Sequence, residues 1–441
     1  MGLVSAEGSN LLRDSARLGR APVRLGEWFF GICALLYCST AFIRLLMGES
    51  EFAAIGDEVL ASPVKRILWP ITYLSAAYFF FKYERSGLKI LRRVTLLVLL
   101  LGYIAVSILW SGSRAISIVS VGALLGNSLV GLYFGVRYGL REFLRLLGWV
   151  YGVIVVATFL ARIAIGSQAI DGGFWVGFFG QKNALGANAV IGFLVFFMLA
   201  KMAPERRGLF RAFAALSALL VFLSGSTTCI VILFVLLFVM IWRGFVQRHA
   251  PSTLFQTLIL LGLGLIALSQ GGHILSALDS SENFMGRVGL WAILMSMVRD
   301  KLFLGYGYGG FWVFGGPAQT IWDALGVDPR EALYAHNGYV QVLVDVGLAG
   351  VALLLALLFS AFQKAWAYGK ATGDLWPLYF FGFMVLHNLT EGTFVQRNNF
   401  LWLLFVAILV QLTRFASIEA RRTMQAATVI SAHLNVSSSV T

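Results

Sequence analysis

Twelve apolar runs, most of them close to the length of a bilayer, dominate this chain of 441 residues and leave it few ways to fold. A helix crosses the hydrocarbon core with about 20 mostly apolar residues. Inside lipid every backbone N–H and C=O must find its partner within the protein, so spanning segments are helices or closed barrels. The runs are 27–47, 67–81, 94–110, 115–135, 146–165, 184–200, 212–224, 227–242, 253–270, 337–361, 376–391 and 399–413. None has the even alternation of a barrel strand, and 59% of the residues are hydrophobic against 12% charged, where a soluble domain carries about 25% charged. The sequence predicts an all-α integral membrane protein of about 12 transmembrane helices. The seventh and eighth runs are short and separated only by Gly225 and Ser226, so a re-entrant pair is the alternative there. The first run is too long and lacks the cleavage site of a signal peptide, which makes it a retained span.

Charge placement orients these spans. Counting from a cytoplasmic N-terminus, the segments 1–26, 82–93, 136–145, 201–211, 243–252, 362–375 and 414–441 hold 23 of the 34 lysines and arginines. The opposite side holds nine, although it has the longest loop. The positive-inside rule then puts both termini in the cytoplasm and the 271–335 loop outside. The formal charge of +13 is therefore a topology signal and gives no reason to expect nucleic acid. The expected organisation is a basic cytoplasmic arm (1–26), one polytopic membrane domain (27–413) and a cytoplasmic tail (414–441), disordered from 423 onward by its Ser/Val/Thr-rich composition. Cys33, Cys38 and Cys229 sit in apolar runs without metal-ligand spacing and read as small core hydrophobes.

The long outward loop is where polar chemistry concentrates. Within it, 286–298 has a helical stripe of Val288, Trp291, Met295 and Val298, expected as a short interfacial helix with Trp291 at headgroup depth. Arg287 at its edge faces either a diphosphate or only the headgroups. Leu304-Gly-Tyr-Gly-Tyr-Gly-Gly-Phe-Trp312 combines close backbone approach with Tyr306 and Tyr308, which suits sugar stacking or a simple tight turn. The loop ends on Ala335-His336-Asn337. His336 has the proton-transfer chemistry of imidazole at a helix mouth, or it caps the tenth helix together with Asn337. Elsewhere on that side, Gly177-Phe-Phe-Gly-Gln-Lys-Asn-Ala-Leu-Gly186 puts Lys182 and Asn183 at a helix start, where free N–H groups attract anions; a lysine snorkelling to water is the plainer reading. The stretch 387–399 carries Glu391 and Arg397 as acceptor-binding groups or as an internal ion pair. Asp345 is expensive in lipid and is expected to pair with a group such as Arg162. There is no Asp-x-Asp pair and no P-loop, so neither metal-assisted nucleotide-sugar transfer nor ATP hydrolysis is expected.

Taken in order, Gly180-Gln-Lys-Asn-Ala-Leu-Gly186, Gly286-Arg-Val-Gly-Leu-Trp291, Gly305-Tyr-Gly-Tyr-Gly-Gly-Phe311, Ala335-His-Asn-Gly-Tyr339 with Gly347-Leu-Ala-Gly350, and Asn388-Leu-Thr-Glu391 resemble the O-antigen ligase and Wzy-type polysaccharide polymerase superfamily over roughly residues 170–410. The Gly-Tyr-Gly and Asn-Leu-Thr-Glu elements look most similar to its ExoQ-like exopolysaccharide polymerases. The resemblance implies a glycosyltransferase of the bacterial inner membrane with a periplasmic site and no cofactor or metal. It implies a donor glycan on undecaprenyl diphosphate, a glycan acceptor, and a chain-length regulator and flippase as partners. By position, His336 would activate the acceptor hydroxyl; Arg287, with Lys182, Asn183 and Arg397, would hold the diphosphate; and Asn337, Glu391, Tyr306 and Tyr308 would support the acceptor. Relatives commonly carry Arg or Lys where this chain has Thr227, leaving Lys182 or Arg397 to supply the second cation. Transfer of finished glycan to lipid A-core is the neighbouring alternative. Flipping or export of lipid-linked sugar is the alternative of another class, disfavoured by the absence of repeat symmetry.

If this orientation holds, a Ser281→Cys variant in spheroplasts reacts with an impermeant thiol reagent and a Ser86→Cys variant does not. The reverse labelling pattern contradicts it.

Overall fold

The computed structural model describes residues 25–41, 63–82, 89–249, 282–326 and 334–438. Its helices are α1 (Leu25–Cys38), α2 (Pro63–Lys82), α3 (Thr95–Val106), α4 (Arg114–Arg137), α5 (Leu140–Ala164), α6 (Lys182–Met202), α7 (Arg207–Leu223), α8 (Thr227–His249), α9 (Glu282–Asp300), α10 (Gln319–Leu325), α11 (Gly338–Thr372), α12 (Trp376–His387) and α13 (Phe400–Ser438). A two-stranded hairpin, Ile170–Asp171 against Phe174–Trp175, is the one departure from helix that pairs as sheet among the described residues. Among the described residues, five helices are long and apolar enough to cross a membrane: α4, α5, α6, α11 and Phe400–Ala420 of α13. The chain is thus a multi-pass membrane protein. The expected span 253–270 lies outside the described residues, as do the ends of the long loop at 271–281 and 327–333.

Exposed apolar side chains mark faces suited to lipid. Along α2, Ile67, Ile71, Leu74, Tyr78 and Phe81 are all more than half exposed. Their spacing makes one helical stripe, which water would not tolerate and lipid tails would. Cys33 is likewise exposed, on α1, and not in the core as expected; Cys38 and Cys229 are buried. Helix α13 is the opposite case, buried on every side from Phe400 to Leu412. It lies tight on α4 because that helix presents Gly131 and Gly135, where a Cβ would fall 2.8 Å from Leu403 O and 2.5 Å from Val410 Cβ. Small residues four apart let two backbones approach in this way. The Trp402 indole donating to Ser128 Oγ at 2.9 Å and Asn127 donating to Asn399 O at 2.9 Å fix the register. At the far end of α4, Arg137 and Glu27 form a buried ion pair at 2.5 Å that ties α1 to α4.

Two local expectations change, and the short seventh helix agrees with its short run. The tail is helical through Ser438, because residues 416–428 are rich in Ala, Arg, Met, Gln and Glu, which favour helix in spite of the Ser and Thr that follow. Helix α7, of 17 residues, reaches about 26 Å, less than the ~30 Å of a bilayer core, and turns back into α8 through Ser224-Gly225-Ser226. The tenth run, read as one continuous span, is broken.

That break organises the part of the chain that carries the 302–316 segment. Within α11, Val346 (φ −136°, ψ 16°) and Gly347 (φ +65°, ψ −169°) leave the helical conformation. The 302–307 segment runs alongside and takes up the freed groups. Tyr306 N donates to Val344 O and Gly307 N to Asp345 O, both at 2.9 Å, while Leu348 N donates to Leu302 O at 2.8 Å and Ala349 N to Phe303 O at 3.3 Å. Tyr103 caps Val346 O through its hydroxyl at 3.2 Å. Glycine is required on both sides of this contact: a Cβ on Gly347 would sit 2.3 Å from Phe303 C and O, and one on Gly305 2.6 Å from Asp345 C.

The described part of the loop then forms its own small core, with Leu290, Leu294 and Val298 of α9 against Phe311, Trp312, Ile321, Trp322 and Val344. The stripe that α9 buries is rotated from the expected one. Trp291 is half-buried and donates its indole N–H to Ala335 O at 2.7 Å, a bond within the protein in place of the expected headgroup contact.

Gly347→Ala is expected to cost at least about 1–3 kcal/mol through a left-handed alanine alone, and more through the clash. The melting temperature of the detergent-purified protein should fall, while Gly102→Ala, whose Cβ would meet nothing within 4 Å, melts as wild type. An unchanged melting temperature for Gly347→Ala would show that the 302–307 contact does not hold α11.

Candidate active site on the 387–399 segment

The polar stretch after α12 folds around one side chain. Asn388, fully buried, accepts from Thr393 N at 2.8 Å and Phe394 N at 2.9 Å through Oδ1, and donates to Met384 O and Thr393 Oγ1, both at 2.8 Å. One carboxamide thereby satisfies four partners that lipid or a dry core would leave costly. Its own carbonyl accepts Gly338 N at 2.8 Å, fastening the start of α11 to the end of α12. Asn337 completes that joint. Its Oδ1 caps α11 by accepting from Tyr339 N and Val340 N at 3.0 and 3.1 Å, and its Nδ2 donates to Leu389 O at 3.0 Å. The Asn337 side chain thus caps the helix, with His336 in the residue before it.

His336 adopts φ +47°, a conformation rare outside glycine. Val395 (φ +46°) and Asn398 (φ +53°) share it, and a β-branched residue there is a true outlier. Of four such non-glycine residues among those described, three fall in and around this segment, the usual company of functional sites. The His336 ring lies 4.1 Å from that of Tyr334. Ala335 is pinned on both sides, its N–H donating to Gln341 Oε1 at 3.1 Å and its carbonyl accepting from Trp291.

Two polar groups flank the segment. On one side Asn183, at the start of α6, donates to Glu391 Oε1 at 2.6 Å and accepts from Ser226 Oγ at 2.8 Å. Thr228 and Thr390 hydroxyls meet at 2.9 Å. The Thr227 turn, α6 and the Asn388-Leu-Thr-Glu391 element are thus one hydrogen-bonded unit. Lys182 points its ammonium at the Phe174 ring, 5.0 Å away, from the β-hairpin, within cation–π range. On the other side lies a cavity of about 400 Å3 lined in part by Tyr308, Asp345, Gly392 and Arg397. Arg397 hydrogen-bonds Ser120 Oγ through its guanidinium and Tyr308 Oη through its backbone N–H at 3.1 Å.

The expected site residues separate accordingly. Asn183 and Glu391 are in direct contact, with Lys182 adjacent; Asn337 bridges to Leu389; Arg397 and Tyr308 meet across the cavity. Tyr308 is buried, its hydroxyl donates to Val395 O at 2.6 Å, and burial pushes its phenol far above the usual range, so it stays a donor. Tyr306 donates to Met297 O at 2.9 Å and packs edge-on against Phe311, which gives its ring a structural duty. The backbone of Arg287 lies on α9, and its side chain is outside the described residues. Asp345 does not pair with Arg162, which is exposed on α5; it accepts from Gln341 Nε2 at 2.9 Å and from Gly309 N at 3.3 Å. Sequence reasoning gave no role to Gln341, Ser226 or Tyr334, and quoted Asn388 only as part of a motif. Among these only Asn388 carried a signal, as a polar residue at the mouth of an apolar helix.

Residues 212–355, from α7 through the break in α11, match the O-antigen ligase family (Wzy_C). The exopolysaccharide production protein ExoQ of Rhizobium meliloti (strain 1021) is 24% identical over 276 residues, 59% of this chain and 62% of that protein, so the match spans less than two thirds of ExoQ. Over these residues the chain, with helices built to cross a bilayer, is similar to the O-antigen ligase family and to ExoQ.

Proposed function

We propose that this chain is a metal-independent glycosyltransferase that polymerises repeat units carried on undecaprenyl diphosphate at the periplasmic face of the bacterial inner membrane. In this reading the chain has about 12 spans, cytoplasmic termini, an outward 271–335 loop and one membrane domain (27–413) between a basic arm and a tail. The observation that carries it is the meeting of separate motifs on one segment: Asn183 hydrogen-bonded to Glu391, and Asn337, beside His336, hydrogen-bonded to Leu389. Similarity to an exopolysaccharide production protein supports polymerisation over transfer to lipid A-core.

The chemistry is a displacement at the anomeric carbon. An acceptor hydroxyl oxygen forms the new C–O bond as its proton passes to His336. The old bond to the diphosphate breaks with its electron pair, and the diphosphate leaves as an anion. Fixed cations at the leaving oxygens lower the barrier because they are worth more in a water-poor site than in bulk; Arg287 and Lys182 are assigned that work. Glu391 accepts the Asn183 amide and so orients Asn183 beside Lys182. The start of α6 adds unpaired N–H groups and the positive end of a helix dipole.

Two variants in proteoliposomes test these roles by the initial rate of polymer formation from lipid-linked oligosaccharide. His336→Gln keeps hydrogen bonding but cannot act as a base, and is expected to lose on the order of 10²–10⁴-fold in rate while eluting as wild type on size exclusion. A fully active His336→Gln protein removes the base assignment. Arg287→Ala is expected to abolish transfer and Arg287→Lys to restore it in part, since lysine lacks the planar bidentate grip on phosphate. Near-normal rates for Arg287→Ala would return that residue to the headgroups.

A further inference from the structure

The cavity beside His336 has a wall chemistry that the displacement above does not use. Its apolar surface includes the rings of Trp69 and Tyr73 from α2, Trp312 from the loop, and Tyr334. Its polar groups include Asp345, Gln341 and Arg397. Four considerations decide what such a space takes.

Size comes first: about 400 Å3 is at the lower end of ligand pockets, which run about 300–1,000 Å3. Balance of charge is second. Arg397 lies within electrostatic range of Asp345, so the cavity offers a guanidinium matched by a carboxylate and no surplus of positive charge. A diphosphate brought here would face the Asp345 carboxyl in a poorly screened environment, where like charges repel strongly. A neutral polyol would find donors and acceptors on both sides. Surface shape is third, because a pyranose presents C–H faces to aromatic rings, whose own faces are electron-rich, and hydroxyls around its rim to groups such as the Asp345 carboxylate and the Gln341 amide. Position is fourth. The Tyr334 ring that lines the cavity touches His336, and Gln341, which donates to Asp345, also accepts from Ala335 N and from Trp312 Nε1 at 3.1 Å each. The cavity wall and the His336 turn are one hydrogen-bonded piece.

We propose that this cavity binds a neutral hexopyranose at the end of the acceptor glycan, bringing its hydroxyl to His336, and that Arg397 serves this sugar site and not the diphosphate. The acceptor role rests on the polymerase reading; the sugar site rests on the cavity alone.

Binding of methyl hexopyranosides (gluco, galacto and manno) to the full-length protein in nanodiscs tests it, read by saturation-transfer NMR at millimolar concentration with pyrophosphate as competitor. The blocking variant is Gly122→Leu. Gly122 lines the cavity on α4 and a Cβ there meets nothing within 4 Å, so the leucine grows into empty space without disturbing the helix. Gly102→Leu, on α3 and equally unobstructed, is the control. The expected result is binding of at least one hexoside that weakens about tenfold or more in Gly122→Leu, is unchanged in Gly102→Leu, and survives excess pyrophosphate. Displacement by pyrophosphate, or pyrophosphate binding that Gly122→Leu weakens, would make the cavity an anion site and overturn the proposal. Hexoside signals that are absent, or that ignore Gly122→Leu, would overturn it too. If wild-type protein fails to polymerise lipid-linked glycan yet shows Gly122-sensitive hexoside binding, the sugar site stands and the polymerase reading falls.

Discussion

Everything on the candidate catalytic side hangs from the interruption of α11. A helix that stops and restarts at membrane depth releases backbone groups that lipid cannot satisfy. Here Tyr306 N, Gly307 N, Leu302 O and Phe303 O supply the partners. Irregular backbone is tolerated only where protein or a cavity covers it, and this one does both: it locks the loop to the helix and turns Asp345 toward the cavity. Without that clamp the loop would lose its anchor on α11, which sits next to the small core that supports Ala335.

A second consequence is rigidity at the point where geometry matters. His336 sits in a left-handed backbone conformation between Ala335, fixed by Trp291 and Gln341, and Asn337, fixed by its capping bonds. Catalytic groups gain from such placement because each ångström of misalignment costs rate. The 387–399 segment repeats the device with Asn388 at its centre. Polar networks in a poorly hydrated site are worth building only when fully satisfied, and Asn388 comes close to that condition.

Legibility in the sequence followed the range of the forces. Apolar run length reports a local requirement, and α4, α5 and α6 fall where the runs put them. The break at Val346–Gly347 was hidden because a long apolar run reads as an uninterrupted span even with Gly338, Gly347 and Gly350 in it; what breaks it is a backbone some 40 positions upstream. Gly305 and Gly307 were correctly read as close-approach residues, but Gly305 approaches α11 and Gly307 approaches Ser111. Asp345 was flagged by its cost in lipid, yet its partners, Gln341 and Gly309, come from the same helix turn and from the loop that the break admits. Asn183 and Glu391 were each visible as polar residues at helix mouths; that they bond each other, with the α7–α8 turn held to Asn183 through Ser226 and to Thr390 through Thr228, is a long-range contact that no spacing rule encodes.

As a polymerase, the chain would join repeat units to one another without a separate acceptor lipid. Purified protein in proteoliposomes, given lipid-linked oligosaccharide and no lipid A-core, tests this through the length distribution of its products. A polymerase is expected to give a ladder of lipid-linked glycans spaced by one repeat unit. A single unreacted band that is consumed only when lipid A-core is added would contradict it and identify a ligase; movement of the substrate across the bilayer with no change in length would contradict it and identify a transporter.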